Sequence, residues 1–528
     1  MLIVCKLTES EAKAAAVALA CCCQSFEDPV LDVLWETQEK LLPLLKSLPE
    51  DVWDNSRCTV SEPTTRVSSS LNCLVSKSFK RPPTTPEWAR FRNYAQRMRR
   101  ITEYEDLGEL YSEVFSALQL HAVNEPLFPN LGIIQLCPVG RELVPFIPLF
   151  LSPRTIVIDI TFDESDLPKV MVALMIDTFP ALCPNLQRIL LHFLPRDPMI
   201  TAAVSRMLLA SNRDALRSVR VDSPLTEEVQ EVICKLSDLH ELMVVIERGT
   251  SLPSVVLPNL TKLFIKYDSD SDWLQMFRGA TLEKLETFTI RYESEQIGGF
   301  LEAFERVALA ASAQNTLSEF SFRTSSSWNP NYSSLLLFTQ LTCLVVEFHC
   351  GFGCPSRVDD DIIVNLARAM PKLEALQLGG LPCRENPISV TAKGLVGLAN
   401  HCPYLSELCV HFQVASLSAP PAIARMIPNV SPAAVRRDWA LAALEVGAIQ
   451  VPEESVLVVA LTLVRIFPHP ESIESIDEGW REVMDAIHLS RQIIDHSGEE
   501  HTSLHLEVTL VTPPQKLPSG VIINRETD

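Results

Sequence analysis

The sequence predicts an α/β solenoid: strand, turn and helix repeat along the chain, parallel strands on the concave face and helices on the convex face, after a small all-α segment. Three observations carry this expectation. The first is an apolar rib of the form Leu, two variable residues, an aliphatic or Phe, one variable residue and a further apolar. It reads Leu131-Ile134-Leu136, Leu186-Ile189-Leu191, Leu216-Val219-Val221, Leu239-Leu242-Val244 and Leu260-Leu263-Ile265. It continues as Leu285-Phe288-Ile290, Leu317-Phe320-Phe322, Leu341-Leu344-Val346, Leu373-Leu376-Leu378, Leu405-Leu408-Val410 and Leu441-Leu444-Val446. Successive first leucines lie 21 to 36 residues apart, except for one interval of 55 that holds Ile156-Ile158-Ile160 as a degenerate strand. The second is a proline two residues before the rib leucine at Pro129, Pro184, Pro258, Pro371 and Pro403, where it ends one element and biases its neighbour toward extended geometry. The third is the set of amphipathic helical patterns between ribs, at Thr226–Leu236, Leu301–Ala313, Asp359–Met370 and Val390–His401. One unit cannot bury its apolar face alone. Stacked units form a leucine column in which each fully buried side chain contributes about 1.5–3 kcal/mol.

Along the chain, residues 1–48 read as helical and 49–127 as a linker with a basic helix capping the array. Residues 128–447 hold the ribs, 448–497 read as closing helices anchored by Trp480, and 498–528 form a polar tail in which only Leu504–Leu510 alternates like a strand. The stretch 54–80 is rich in Ser and Thr and lacks periodicity, as a linker does. Between Lys77 and Arg100 eight basic residues stand against one acid, Glu87; this net +7 leaves −28 for the rest of a chain whose total is −21. Trp88, Phe91 and Tyr94 are interleaved there, so two readings stand: a nucleic-acid surface, or a helix whose aromatic face packs on the first repeat. The acidic body favours the packed helix, because it repels phosphate and an anionic membrane surface alike.

Composition narrows the classes further. Hydrophobic residues at 47% and charged residues at 21% describe a chain that folds. No apolar run free of charge and proline reaches the roughly 18 residues of a membrane span. Fifteen cysteines, an odd number with Cys21, Cys22 and Cys23 adjacent, suit a reducing compartment, cytoplasm or nucleus, better than a disulfide framework.

The rib spacing resembles a leucine-rich-repeat array, and Thr391–Leu408, TAKGLVGLANHCPYLSEL, is similar to the cysteine-containing repeats of F-box proteins. The stretch Leu19–Gln38, LACCCQSFEDPVLDVLWETQ, resembles the second half of an F-box. With RPPTTPEWARFRNYA (Arg81–Ala95), these modules resemble the expanded F-box/leucine-rich-repeat family of mushroom-forming fungi. The resemblance implies a leucine-rich-repeat solenoid whose N-terminal helices dock the adaptor subunit of an SCF-type (cullin-RING) ubiquitin ligase through Leu19, Cys23, Phe26, Pro29, Leu31, Leu34 and Trp35. It implies a target protein on the concave face, and neither catalysis nor cofactor in the chain. The opening Leu-Pro of an F-box and its following acid are absent, and the same helices also suit the end cap of a scaffold with no ligase role.

Read residue by residue, the sequence nominates no catalytic centre. It lacks the P-loop, nucleophile-elbow, H-E-x-x-H and dinucleotide signatures. His349, Cys350 and Cys354, or His401 and Cys402, fall short of a four-ligand metal set. Asp359, Asp360 and Asp361 precede a helix they can cap, and Asp268, Asp270 and Asp272 before Trp273 read the same way. Strand alternation instead nominates a protein-binding row on the concave face. Its members are Glu241, Met243 and Val245; Lys262, Phe264 and Lys266; Thr287, Thr289 and Arg291; Glu319, Ser321 and Arg323; Cys343, Val345 and Glu347. Apolar anchors among alternating charge suit a protein partner.

Overall fold

The computed structural model describes residues 9–54, 78–103, 108–121, 126–163, 167–246, 257–267, 282–292, 315–324, 332–348, 358–379, 390–410, 412, 417, 443–447, 451, 455–467, 473–475 and 479–496. Its strands are β1 (Thr37–Gln38), β2 (Trp53–Asp54), β3 (Ser78–Phe79), β4 (Arg100–Glu103), β5 (Ile133–Val139), β6 (Val157–Phe162), β7 (Arg188–His192), β8 (Ser218–Pro224) and β9 (Glu241–Ile246). They continue as β10 (Lys262–Tyr267), β11 (Thr287–Tyr292), β12 (Glu319–Thr324), β13 (Cys343–Phe348), β14 (Ala375–Leu378), β15 (Glu407–Val410), β16 (Ala443–Gly447) and β17 (Ile473–Ser475). Fifteen of these form one sheet in the order β1, then β4 through β17, so each strand lies beside the next in sequence. Every pairing in it is parallel, from β1 with β4 to β16 with β17, while β2 and β3 form a separate antiparallel pair. This is a solenoid-like α/β architecture. The sheet extends beyond the leucine ribs at both ends, into β1 and β4 on one side and β17 on the other, because short strands without the full rib complete the stack.

The register places the ribs in columns. Ile134, Ile158, Ile189, Val219, Leu242, Leu263, Phe288, Phe320, Leu344, Leu376 and Leu408 stand opposite one another from β5 to β15. All are at most 2% exposed, and they join the helices in a single core. The rib leucines from Leu131 to Leu405 are buried beside them.

Each unit enters its strand through a four-residue turn. In the proline units the carbonyls of Phe128, Cys183, Leu257, Met370 and Cys402 accept from the amides of Leu131, Leu186, Leu260, Leu373 and Leu405, which puts each proline at the second turn position. Proline's fixed φ suits that position, and no amide is lost there. Asn130, Asn185 and Asn259 follow three of these prolines and donate from their side-chain amides to the backbone of the preceding turn, at Gln96, Pro153 and Ser237. The next residue extends a backbone chain from unit to unit: Gly132 to Arg99, Ile156 to Gly132, Gln187 to Ile156, and so on to Ser406 with Glu374, at 2.7–2.9 Å.

Among the described connectors, the longer ones carry the longer helical elements behind the sheet, although the spacing of 23 at β8–β9 still holds a short α-helix. Where paired rib residues are 30 to 32 apart, at β6–β7, β7–β8, β13–β14 and β14–β15, the connectors form the helices Lys169–Leu182, Pro198–Ala210, Asp360–Ala369 and Ala392–His401. Where the spacing is 24, at β5–β6 and β12–β13, the tighter 3₁₀ turns Val144–Phe150 and Tyr332–Leu337 take their place. The expected helix near Thr226–Leu236 is shorter, Glu227–Ile233, and the pattern at Leu301–Ala313 lies outside the described residues. The closing helices are Val456–Ile466 and Gly479–His496, with Trp480 buried and edge-on to Phe412 at 6.0 Å. Leu441 and the alternating stretch Leu504–Leu510 lie outside the described residues.

At the N-terminal end, the helices Glu9–Cys22 and Gln24–Glu36 pack together as a hairpin that runs into β1. Two contacts tie the hairpin to the basic helix Thr85–Ala95 and the turn after it. Trp35 stacks on Tyr94 at 4.7 Å, and Arg97, only 10% exposed, pairs with Asp28 and Asp32 at 2.5 Å. The basic helix is therefore a packed element: Phe91 is fully buried and stacks on Trp88, while Arg81 pairs with Glu87 and Asp51.

Candidate functional site

Alternation leaves two further columns on the open face of the sheet, opposite the helices. One runs Gln135, Asp159, Leu190, Arg220, Met243, Phe264, Thr289, Ser321, Val345 and Gln377; the other includes Thr161 and His192, then Val245, Lys266, Arg291, Arg323 and Glu347, with a bulge in β8 after Arg220 setting Pro224 rather than Asp222 opposite Val245. Met243, Phe264, Thr289, Ser321, Val345 and Glu347 are half-buried there, and Lys262, Arg291 and Arg323 are exposed.

Bridges that skip a strand organise the centre of this face. Neighbouring strands are about 4.8 Å apart, so only long side chains reach the next strand but one. Arg188 of β7 approaches Glu241 of β9 at 3.4 Å across Ser218. The Arg220 guanidinium of β8 lies over the Phe264 ring of β10, 4.1 Å from its centroid, across Met243. Lys266 of β10 donates to Asp222 of β8 at 2.8 Å across β9, with both side chains less than 15% exposed. Shorter contacts flank these: the Gln135 amide donates to Asp159 at 3.2 Å, Thr287 donates to Glu319 at 3.0 Å, and Arg323 pairs with Glu347 at 3.2 Å.

The structure corrects the expected row at four places. Glu241 is buried rather than presented, because Ser218 donates to its carboxylate at 2.6 Å while Arg188 and Arg220 close over it. Val245 is buried, at 5% exposed. Thr287 is buried beside Glu319. Phe264, expected as a bare anchor, carries Arg220 on its face.

Sequence reasoning missed Arg188, Asp159, Arg220, Asp222 and His192. The signal was present, since these residues flank Ile189, Ile158 and Val219 in the frame applied to later repeats. His192 lies 3.7 Å from Asp159, and burial first, then the Arg220 charge, holds its imidazole below the usual histidine value.

The N-terminal hairpin carries the second surface. Leu19 and Phe26 are 45% and 47% exposed, as are Val17 and Val33 at 51% and 63%, which the sequence reading did not single out. Cys23 and Pro29 are exposed as well, and hydrogen bonds from Ser25 hold the Cys23 thiol below its ordinary value. Leu31 and Leu34 are half-buried, and Trp35 turns inward onto Tyr94. Trp35 is thus an internal anchor, because its ring finds an aromatic partner on the basic helix.

Three of the described residues weighed for metal or catalysis, Asp359, Asp360 and Cys402, serve caps and packing. Asp359 accepts from the Ile362 amide at 2.9 Å and caps its own helix. Asp360 reaches the next unit, accepting from the Thr391 amide and hydroxyl and the Gly394 amide at 2.6–3.0 Å. Cys402 is a core thiol pushed up to about 12 by burial. His349, Cys350, Cys354, Asp268, Asp270, Asp272 and Trp273 lie outside the described residues. Among the described residues no group of three or more His, Cys, Asp and Glu is placed to hold a metal, and no helix is long and apolar enough to cross a membrane. No protein-family model and no curated protein matches the chain.

Proposed function

We propose that this protein is the substrate-recognition subunit of an SCF-type ubiquitin ligase, built as a leucine-rich-repeat array behind an F-box-like hairpin. The observation that carries the reading is the hairpin itself. Val17, Leu19, Phe26 and Val33 stand bare on a hairpin whose second helix is held by Arg97 and by the stacking of Trp35 on Tyr94 of the basic helix. Bare apolar side chains on an anchored element suit a protein partner. The adaptor would dock there, and the target would lie on the open face of the sheet. The chain's own contribution is proximity: a held target meets the ubiquitin-loaded enzyme at high effective concentration.

A second reading draws on the inward packing of Trp35 and Val30: the hairpin is an end cap and the array a scaffold with no ligase role. Capture of the purified adaptor by the full chain separates the two. The ligase reading expects capture by the native chain and its loss in a Leu19→Asp/Phe26→Asp variant that melts normally. No capture by the native chain supports the scaffold.

A further inference from the structure

We infer that the open face between β7 and β11 binds an acidic polypeptide segment carrying an apolar residue, with Arg188, Arg220 and Lys262 as its charged contacts. This rests on the reading of that face as the target surface and names the chemistry of the target.

Charge distribution is the first support. The open-face positions of β7 to β11 hold five cations, Arg188, Arg220, Lys262, Lys266 and Arg291, against two carboxylates, Asp222 and Glu241, a net of +3. On β12 to β15 the same positions hold one cation, Arg323, against Glu319, Glu347 and Glu407, a net of −2. A cationic band beside the acidic strands β12 to β15, on a chain of net charge −21, is a local reversal that attracts an acidic segment and repels a basic one.

The state of the two arginines is the second support. Glu241 meets each guanidinium only at 3.4 Å, the long edge of hydrogen bonding, while Ser218 takes its carboxylate at 2.6 Å. The Nε of Arg220 is buried without an acceptor, and Arg188 is 51% exposed. A guanidinium has five donors in a fixed fork. Glu241 holds both forks and Phe264 holds that of Arg220 as well, without saturating them, so a carboxylate from a partner meets oriented donors at little ordering cost. The half-buried Met243 and Phe264 supply the apolar floor between the charges. Nucleic acid would meet the same cations, but the acidic strands β12 to β15 and the net charge of −21 oppose a long phosphate chain.

Fluorescence anisotropy with the full chain tests this. The probes are a fluorescein-labelled peptide of glutamates around a central leucine, its lysine counterpart and a single-stranded oligonucleotide. The glutamate peptide is expected to bind, more weakly as salt rises, and the lysine peptide not to bind. Arg188→Gln/Arg220→Gln should weaken binding at least about tenfold, the loss expected from one charge-assisted hydrogen bond. Exposed Lys262→Gln, which touches no buried contact, guards against a folding defect and should weaken binding by a smaller factor. Equal binding of both peptides, binding unchanged in both variants, or tighter binding of the oligonucleotide overturns the inference. Adaptor capture and glutamate-peptide binding measured side by side on the native chain separate the two proposals. Capture without glutamate-peptide binding refutes this inference and leaves the ligase reading standing, and the converse refutes the ligase reading alone.

Discussion

The hairpin and the open face of the sheet present the same kinds of side chain in opposite states. Phe26 on the hairpin is 47% exposed, whereas Phe264 on β10 is half-buried under the Arg220 guanidinium. A strand in a parallel sheet has neighbours on both sides, and long side chains two strands away lie across it. A two-helix hairpin leaves its outer faces unflanked. The sheet face is therefore ordered before any partner arrives, while the hairpin offers bare area that only a partner covers.

The sharpest way to break this contrast is from behind the sheet. Leu263 is fully buried, and Leu263→Asp places an unpaired charge in the rib column at a cost of about 3–5 kcal/mol. A thermal melt should lose its cooperative transition, and an unchanged melting temperature would mean the column does not hold the stack. The hairpin should respond more locally. Arg97→Ala removes both pairs to Asp28 and Asp32, whose own side chains are 81% and 65% exposed, so no charge is left buried and the loss is about 1 kcal/mol. Limited proteolysis should then cut within Gln24–Glu36 faster than in the native chain while the repeats stay protected.

The open face should also sense acid. The folded state holds His192 below its usual value, so the unfolded chain binds that proton more readily. The contribution is complete above the unfolded histidine value of about 6.5 and is lost as pH falls below it. Melting temperature should therefore fall from about pH 7 toward pH 5, and His192→Gln should flatten part of that slope; identical slopes would exclude His192 as a source. The smallest effect belongs to the bare hairpin. Phe26→Ser should change stability by no more than about 0.5 kcal/mol, and a larger drop in chemical denaturation would mean that Phe26 packs against the fold after all.

Much of this was legible in the chain itself, because the relevant information was local. The proline two residues before five of the rib leucines marked the turn that starts those strands, and the carboxylates at Asp359–Asp361 marked a helix start. Asp360 shows where local reading ends: it looked like a cap for its own helix, and it caps the helix Ala392–His401 instead, accepting from Thr391 and Gly394. Trp35 shows the same limit, since its partner Tyr94 lies 59 positions further along the chain.

By itself the sequence determined the period of the units, the residues that form the buried columns and the sites of the turns. Side-chain alternation and proline geometry depend on positions only a few residues apart. Tertiary structure alone decided which open-face residues are covered and which cations keep donors to spare. Lys266 meets Asp222 across 44 residues and Arg188 meets Glu241 across 53, two strands over in each case. Which side chains meet at that distance depends on how the intervening turns and helices stack, and no short stretch of chain encodes it.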